Sequence, residues 1–338
     1  MLSIQDSKIK RGGLVLNKNI LEIKDLVIQY KTRKGIVKAV NNINLSIEKG
    51  ETTGIVGETG AGKTTTALGI LRLISDPPGK IINGEIIFDG KNLLELSASE
   101  MRKIRGDRIS MIFQDPMTAL NPIMTVGEQI AEVIRLHGKL TVHESMLKAH
   151  EMLELVGISK DRYYEYPHQF SGGMKQRVVI AIALACHPSL IIADEPTTAL
   201  DVTIQAQVLE MMAKLKNDLN TSMILITHDL GIVAEICEKV VIMYAGEIIE
   251  AGTVEDIFDR SKHPYTKGLF DSLPDLDEDK VRLRPIPGAM PDPTNLPNGC
   301  NFAPRCPFKM PRCEVKEIPT IHFSDTHFIK CLLFANKD

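Results

Sequence analysis

A short glycine-rich segment has the composition and spacing of a loop that binds phosphate groups. The segment fits the pattern G-x-x-x-x-G-K-[ST] and reads Gly57-Glu58-Thr59-Gly60-Ala61-Gly62-Lys63-Thr64. Its glycines let the backbone curl so that successive N–H groups point at phosphate oxygens. Lys63 can reach the β- and γ-phosphates, and the Thr64 hydroxyl can ligate Mg²⁺. The sequence therefore predicts a nucleoside triphosphate site, which we extend to Thr65 in the following helix.

Two adjacent carboxylates follow a buried apolar run and suit phosphoryl-transfer chemistry. The run reads Leu190-Ile191-Ile192-Ala193-Asp194-Glu195. Asp194 is suited to hold Mg²⁺, and Glu195 is suited to polarise the attacking water as a general base. His228 closes the next apolar run, in Thr227-His228-Asp229, where it could hydrogen-bond the γ-phosphate. We expect the ends of these runs to converge, so that Glu195, His228 and Asp194 act together with Lys63 in catalysis.

A second glycine turn opens another helix and predicts a second phosphate-binding element. It reads Phe170-Ser171-Gly172-Gly173-Met174-Lys175-Gln176. Backbone N–H groups and positive potential at a helix N-terminus favour anions. The chain thus carries two separate elements that can contact phosphate.

The order of phosphate loop, Ser-Gly-Gly turn, Asp-Glu pair and histidine resembles the ATP-binding subunits of ABC transporters, over residues 20–260. The resemblance implies that the chain binds ATP and Mg²⁺ and hydrolyses ATP. It also implies that two ATPase domains pair head to tail, so that Ser171, Gly172, Gly173 and Met174 contact the partner's ATP. The usual signature of the family is Leu-Ser-Gly-Gly-Gln, whereas this one starts with Phe170 and ends with Met174.

Further residues match other elements of the same family. Gln114 corresponds to the glutamine that senses Mg²⁺ and faces the membrane subunit, and Tyr30 corresponds to the aromatic residue that stacks on adenine. The stretch Thr198-Ala199-Leu200-Asp201 resembles the family's D-loop, represented here by Asp201. The resemblance therefore implies Mg²⁺ ligands at Thr64, Gln114 and Asp194. The implied ATP-binding set is Tyr30, Gly57, Glu58, Thr59, Gly60, Ala61, Gly62, Lys63, Thr64, Thr65 and Gln114.

The C-terminal part of the chain differs in composition from the rest, and its motifs resemble one subfamily in particular. Residues 261–338 hold eleven of the 18 prolines. The stretches His263-Pro264-Tyr265-Thr266-Lys267-Gly268-Leu269, Pro285-Ile286-Pro287-Gly288 and Pro291-Asp292-Pro293 are similar to the C-terminal extension of oligopeptide/dipeptide importer ATPases. That subfamily implies peptide transport.

Four of the six cysteines fall within this extension, at Cys300, Cys306, Cys313 and Cys331. Four soft thiolates suit either Zn²⁺ or an iron–sulfur cluster. Resemblance to subfamily members with this pattern implies a [4Fe–4S] cluster. Zn²⁺, with His322 or His327 as spare ligands, and no metal at all remain open alternatives.

We expect any such metal to act as a structural staple for the extension, with its ligands away from the nucleotide site. A redox role is a further, weaker hypothesis. Cys186 and Cys237 lie in apolar helical surroundings and are predicted to be core residues.

The elements that must position these residues alternate between strands and helices. Half-buried antiparallel strands are predicted at 20–30 and 37–48, and a strand pair around 84–88 and 109–113. A helix is predicted from Lys63 to about Ile74. The predicted fold class is α/β: an ABC-type P-loop ATPase core, with a mixed sheet and an antiparallel flank, a helical signature subdomain and a small Pro/Cys-rich C-terminal domain.

These patterns also predict the domain limits. The predicted domains are an N-terminal extension at 1–19, an ABC ATPase domain at 20–260 with its helical subdomain at about 115–180, and the C-terminal extension at 261–338.

Composition excludes several other classes of protein. The 338 residues are 43 % hydrophobic and 25 % charged, with a net charge of -3, which argues against bulk electrostatic binding to nucleic acid. The longest apolar run, 178–186, is far too short to span a bilayer. The N-terminus lacks an apolar signal region, so we expect a cytoplasmic protein without structural disulfides.

The leading hypothesis is an ATP-hydrolysing subunit that powers a dipeptide/oligopeptide ABC importer at the cytoplasmic face of the cell membrane. It implies two transmembrane permease subunits, a second ATPase subunit that is related or identical, an extracytoplasmic peptide-binding protein, and no nucleic acid. One rival is an ABC-type ATPase acting on DNA or ribosomes, which would need a basic groove or a second cassette. Another is a metal-dependent regulatory or nucleic-acid-binding module built on the cysteines of the extension. The charges of the extension are nearly balanced, which argues against a surface that binds phosphate. The transported substrate stays open.

Overall fold

The computed structural model describes residues 18–198, 200–272, 285–315 and 317–335, with only the backbone of residues 116–117. The predicted N-terminal extension lies outside the described residues apart from 18–19. The same holds for Ala199 of the predicted D-loop. The four cysteines of the extension and the other predicted site residues lie within the described part.

Strands and helices alternate along most of the chain. The strands are β1 Asn19–Thr32, β2 Gly35–Glu48, β3 Thr52–Val56, β4 Gly79–Phe88, β5 Lys91–Asn92, β6 Ile109–Ile112, β7 Leu190–Asp194, β8 Ser222–Ile226, β9 Lys239–Tyr244, β10 Glu247–Thr253, β11 Thr320–His322 and β12 Phe328–Lys330. The helices are α1 Lys63–Ile70, α2 Ala98–Ile104, α3 Pro116–Ala119, α4 Val126–Gly138, α5 Val142–Leu155, α6 Gly172–Leu184, α7 Val202–Asp218, α8 Leu230–Ile236, α9 Val254–Phe258 and α10 Pro264–Asp271. Short 3₁₀ turns occur at Leu93–Glu95, Lys160–Tyr164, Pro167–Gln169, Ala303–Arg305 and Pro311–Cys313.

Two sheets form the framework. The larger sheet has the order β11-β12-β10-β9-β3-β8-β7-β6, and its strands from β9 to β6 run parallel. The strands β3, β7 and β8 are buried at every position, as expected for parallel strands covered on both faces. A second, antiparallel sheet has the order β2-β1-β4-β5. The predicted fold class, a mixed sheet with an antiparallel flank, is confirmed.

The predicted strand pair at 84–88 and 109–113 is wrong, because the two strands belong to different sheets. β4 pairs with β1 in the antiparallel sheet, whereas β6 pairs with β7 in the parallel one. Both runs are short and apolar, and such runs carry no local information about their partner.

The helix predicted to reach Ile74 ends earlier. α1 stops at Ile70, and Arg72 then adopts a left-handed φ of 51°. The Arg72 guanidinium donates to the carbonyl oxygens of Leu93 and Leu96, so the chain turns toward the antiparallel sheet.

Helices α3 to α6 fill the connection between β6 and β7. Thr125 and Thr141 cap α4 and α5 by accepting hydrogen bonds from the N–H groups of Glu128 and Glu144. The two helices pack through buried residues of the larger core, which include Ile130 and Leu153. Among the described helices, none combines the length and the apolar character needed to cross a bilayer.

The C-terminal extension shares the core of the ATPase fold. β12 extends the larger sheet by pairing with β10, where Ile329 lies opposite Glu250. The ring of Phe302 lies 5.3 Å from that of Tyr244 and 5.4 Å from that of Tyr265, and all three side chains are fully buried. The extension is therefore anchored by aromatic packing as well as by strand pairing.

Candidate active site

The phosphate loop connects β3 to α1, as the motif predicts. Gly62 has a left-handed φ of 102°, and a Cβ atom there would lie 2.5 Å from the carbonyl oxygen of Ala39. At Gly57 a Cβ atom would lie 2.2 Å from the carbonyl oxygen of Met243. Both positions therefore require glycine, because neighbouring backbone fills the space that a side chain would need.

Lys63 is buried beneath this loop. Its Nζ atom donates hydrogen bonds to the carbonyl oxygens of Gly57, at 2.6 Å, and Glu58, at 3.2 Å. Burial lowers the pKa of Lys63, while the carboxylates of Glu195, Asp194 and Glu58 act in the opposite direction. The ammonium group is thus held at the loop, among carboxylates that favour its charged form.

Thr64 and Asp194 meet at the end of β7. The Thr64 side chain interacts with the Asp194 carboxylate, which works against the rise in the pKa of Asp194 that burial causes. A hydroxyl and a carboxylate side by side supply the oxygen ligands that Mg²⁺ prefers. The two residues fit a magnesium site next to the phosphate loop.

Glu195 follows β7 with a left-handed φ of 47°. Its carboxylate accepts hydrogen bonds from Nε2 of Gln114, at 2.8 Å, and from the hydroxyl of Thr198, at 3.0 Å. Nδ1 of His228 lies 3.4 Å from its other oxygen. The carboxylate is therefore oriented from three directions.

A cavity of 530 Å³ joins these groups. It is lined by Tyr30, Val37, Ala39, Thr59, Gly60, Gly62, Lys63, Thr64, Thr65, Gln114, Glu195, His228 and Pro293. Of the residues predicted to bind ATP, Gly57, Glu58 and Ala61 do not line it: Ala61 is fully buried, and the Glu58 side chain contacts Arg305. The remaining members of the predicted set converge on one concave site.

The Ser-Gly-Gly turn lies in a second cavity of the same volume, 530 Å³. It is lined by Ser171, Gly172, Gly173, Met174, Arg177, Leu200, Asp201, Ile204 and Gln207. The Ser171 side chain caps α6 by accepting a hydrogen bond from the N–H group of Met174. The signature and D-loop residues thus lie together, and the two cavities share no lining residue.

The four cysteines of the extension lie close to one another in the structure. The Cys300 N–H group donates to the carbonyl oxygen of Cys313, at 2.8 Å. Burial raises the pKa of Cys300 to about 12, and the other three thiols add to this rise. The sulfur donors fit a thiophilic metal by their type. However, within the part of the chain that the structure describes, no group of three or more His, Cys, Asp or Glu residues is arranged to hold a metal ion.

The two histidines considered as spare metal ligands have other surroundings. Nε2 of His327 lies 2.9 Å from the buried carboxylate of Glu250. His322 is exposed on β11. Cys237 is buried, as predicted, whereas Cys186, also predicted to be a core residue, is only half-buried in the turn that follows α6.

Four contacts between the extension and the phosphate loop region were not predictable from the sequence. Both Glu58 oxygens accept from Nη1 of Arg305, at 3.0 Å, and the Glu58 N–H group donates to the Tyr265 hydroxyl, at 3.0 Å. Met290 lies over Gly60, and Pro293 lines the nucleotide cavity. The extension therefore borders the nucleotide site.

This fold and site define a P-loop ATPase of the ATP-binding-cassette class. Residues 40–198 match the family model described as "ABC transporter". Residues 249–313 match the one described as "Oligopeptide/dipeptide transporter, C-terminal region". The chain is similar to the dimeric structure of a post-hydrolysis state of the cassette MJ0796 bound to ADP and Pi, with 30 % identity and a TM-score of 0.62 over 69 % of this chain and 98 % of that one. It is also similar to cbiO1 from Clostridium perfringens, with 29 % identity and a TM-score of 0.62 over 72 % of this chain and 92 % of that one.

Relatives of known function make the assignment more specific. The chain is 52 % identical to the oligopeptide transport ATP-binding protein OppD of Bacillus subtilis (strain 168), over 93 % of this chain and 88 % of that protein. It is 49 % identical to the dipeptide transport ATP-binding protein DppD of the same organism, over 93 % and 94 %. The chain belongs to the family of oligopeptide/dipeptide ABC transporter ATP-binding proteins, and it is an ATPase that uses ATP with Mg²⁺.

Proposed function

We propose that the chain powers the import of dipeptides or oligopeptides, by hydrolysing ATP at sites that it forms with a second ATPase subunit. The relatives named for oligopeptide and dipeptide transport support the substrate class. The nucleotide-binding domain would comprise residues 20–260, with the helical subdomain at about 115–180. Residues 261–338 would form the extension, and residues 1–19 an N-terminal extension.

One observation supports an ATP site that is composed of residues from two chains. The phosphate loop lines one cavity of the chain, and the Ser-Gly-Gly turn with Asp201 lines another. We infer that each cavity would contact one side of a triphosphate. Two chains placed head to tail would bring the loop of one against Ser171 and Gly172 of the other. Each nucleotide would then gain the N-terminus of α6 as a second source of N–H donors.

The residues of the first cavity divide the chemistry between them. Glu195 would take a proton from the attacking water, and Gln114, Thr198 and His228 would hold its carboxylate in place. Lys63 would balance charge on the transferring phosphoryl group. Thr64 and Asp194, with Gln114 nearby, would hold Mg²⁺, which offsets phosphate charge when bound. Tyr30 lines the same cavity, where it would stack on adenine.

The assembly would extend beyond the ATPase pair. Two transmembrane permease subunits would convert its opening and closing into passage of peptide, and an extracytoplasmic peptide-binding protein would deliver the peptide. The chain would therefore work at the cytoplasmic face of the cell membrane. The balanced charge of the chain favours these partners over nucleic acid.

The transport proposal is tested by reconstituting the full chain with its permease subunits, a second ATPase subunit and the peptide-binding protein in proteoliposomes. ATP supplied on the side of the membrane that carries the ATPase subunits should drive uptake of labelled peptide, and Glu195→Gln should abolish this uptake. Glu255→Gln, which changes an exposed carboxylate, serves as the matched control. Uptake that proceeds without ATP, or that survives Glu195→Gln, would contradict the proposal.

We also propose that Cys300, Cys306, Cys313 and Cys331 hold a metal group, with a [4Fe–4S] cluster as the first candidate and Zn²⁺ as the second. Support comes from the four thiols lying in one neighbourhood, in an extension whose own apolar cluster is small. The group would cross-link the segments that carry these thiols.

Metal analysis of anaerobically purified, full-length protein tests the proposed group. We expect about four iron atoms per chain for a [4Fe–4S] cluster. Cys313→Ser should lose the iron, whereas Cys186→Ser should keep it. Zinc without iron would support the second candidate, and neither metal would contradict both.

A further inference from the structure

Glu58 of the phosphate loop is held from the C-terminal extension at both its backbone and its side chain. Its N–H group donates to the hydroxyl of Tyr265, at 3.0 Å. Its two carboxylate oxygens each accept from Nη1 of Arg305, at 3.0 Å. The conformation of the loop is therefore fixed partly by residues more than 200 positions away in the sequence.

Arg305 has a rigid, nearly closed environment. Its side chain is 5 % exposed. Nε donates to the carbonyl oxygen of Pro287, at 3.0 Å, and Nη2 donates to that of Ile286, at 3.2 Å. Nη1 also lies 3.3 Å from the Tyr244 hydroxyl. A planar guanidinium held by this many acceptors has one orientation, so it can fix the position of the carboxylate that it binds.

Glu58 lies between this guanidinium and Lys63. Its carbonyl oxygen accepts from Nζ of Lys63, and its carboxylate accepts from Arg305. A carboxylate in this loop would repel a triphosphate if it carried an uncompensated charge. The ion pair with Arg305 compensates that charge and turns the carboxylate away from the cavity.

Two further contacts connect the extension to the same site. The terminal methyl group of Met290 lies over Gly60, 3.0 Å from where a Cβ atom would be. The Lys38 N–H group donates to the carbonyl oxygen of Pro293, at 2.9 Å, and Pro293 lines the nucleotide cavity. The extension thus contacts the loop and one wall of the cavity.

Arg305 also adjoins the cysteines. It ends the 3₁₀ turn Ala303–Arg305, and the next residue is Cys306, whose N–H group donates to the carbonyl oxygen of Ala303, at 3.3 Å. A change in the order of the cysteine region would therefore shift the guanidinium and, through it, Glu58.

We propose that Arg305 is a positioning residue of the nucleotide site, which makes ATP affinity depend on the folded state of the cysteine-containing extension. The inference rests on ATP binding at the phosphate loop, and it adds a control of that site by the extension. The coupling is reciprocal by linkage: an ordered extension strengthens nucleotide binding, and bound nucleotide stabilises the extension.

Steady-state ATPase kinetics of the full chain with its partner subunits test the positioning role. We expect Arg305→Met to raise the KM for ATP about five- to twenty-fold and to change kcat by less than about two-fold. The phosphate loop loses its ion pair with the extension, whereas Glu195 keeps the hydrogen bonds that orient its carboxylate. Adding Glu58→Gln to Arg305→Met should restore much of the lost affinity, because it removes the repelling charge. Lys309→Met, which removes an exposed cation of the same extension, should leave KM unchanged.

The outcomes separate this inference from the ATPase assignment. If the unaltered protein fails to bind ATP, the assignment itself is wrong. If it binds ATP and Arg305→Met has an unchanged KM, or Glu58→Gln restores nothing, the positioning role is wrong.

Hydrogen exchange of the unaltered protein gives a second test that needs no variant. Mg-ATP should slow amide exchange in residues 299–306 by several-fold. Exchange there that does not respond to Mg-ATP would overturn the coupling.

Discussion

The side-chain amide of Gln114 donates a hydrogen bond of 2.8 Å to the carboxylate of Glu195. Gln114 lies two residues after the end of β6 and precedes helices α3 and α4, whereas Glu195 follows the neighbouring strand β7. A movement of the helical region would therefore be transmitted to the proposed base through one hydrogen bond. The position of the helical region could in this way affect the orientation of the Glu195 carboxylate.

Replacing Glu195 by glutamine should separate binding from hydrolysis. The amide keeps the size of the side chain but cannot accept a proton, so turnover should fall at least ~100-fold while ATP affinity is retained. Phosphate release and equilibrium binding of a fluorescent ATP analogue measure the two effects. Glu255→Gln, at an exposed site, should leave both unchanged. Hydrolysis by Glu195→Gln at a near-normal rate would show that another group acts as the base.

Lys63→Ala should weaken nucleotide binding itself. The buried ammonium group would contribute charge beside the phosphates, and its hydrogen bonds to the carbonyl oxygens of Gly57 and Glu58 tie it to the loop. We expect the Kd for ATP to rise at least ~10-fold, as for the loss of a charge-assisted contact. Titration calorimetry provides the measurement, with the exposed Lys160→Ala as the control. An unchanged Kd would place the triphosphate elsewhere.

Ser171 allows the composite site to be tested without damage to α6. Asn and Asp both replace Ser well as an N-cap, so Ser171→Asn and Ser171→Asp should keep the helix intact. Ser171→Asp adds a negative charge where the partner's triphosphate would lie, so it should reduce ATPase activity much more than Ser171→Asn does. ATP affinity of the isolated monomer should remain the same for both.

Concentration dependence supplies the second part of this test. Specific activity of the unaltered protein should rise with protein concentration or on addition of its partner subunit. Full, constant turnover by a strictly monomeric preparation would contradict a site shared between two chains.

Local motifs account for what the sequence could predict. The loop before Lys63 and the Asp194–Glu195 pair lie where their flanking strands require, because each motif includes its own strand end. The pairing of strands was harder to predict, because nothing in the sequence of residues 109–112 indicates that this strand pairs with β7. The contact between Arg305 and Glu58 joins residues 247 positions apart. An ion pair of this kind leaves no periodicity or spacing in either segment, so only the fold reveals it.

His263 predicts a loss of stability in mild acid. Its side chain is fully enclosed, and burial lowers its pKa from 6.5 to about 3. Nδ1 accepts a hydrogen bond from the Tyr265 N–H group, at 3.1 Å, which a proton on that nitrogen would prevent. Below pH 6.5 the unfolded chain therefore binds a proton that the folded chain does not. The free energy of unfolding should fall as the pH drops from 6.5 toward 3, by about 1 kcal/mol between pH 6.5 and 5.5 from this group.

Replacing His263 by asparagine isolates this contribution. Asparagine can still accept the hydrogen bond at the start of α10 but does not titrate, so the pH dependence of thermal unfolding between pH 5 and 7.5 should become flatter. His143→Asn, at an exposed histidine of α5, provides the matched control and should keep the original dependence. The measurement is the difference in melting temperature between the two pH values, for each protein.

Because His263 begins the helix that carries Tyr265, and Tyr265 holds the phosphate loop, the unaltered protein should also lose ATP affinity as this region unfolds in acid. Parallel pH profiles for His263→Asn and the unaltered protein would show that His263 is not the group responsible.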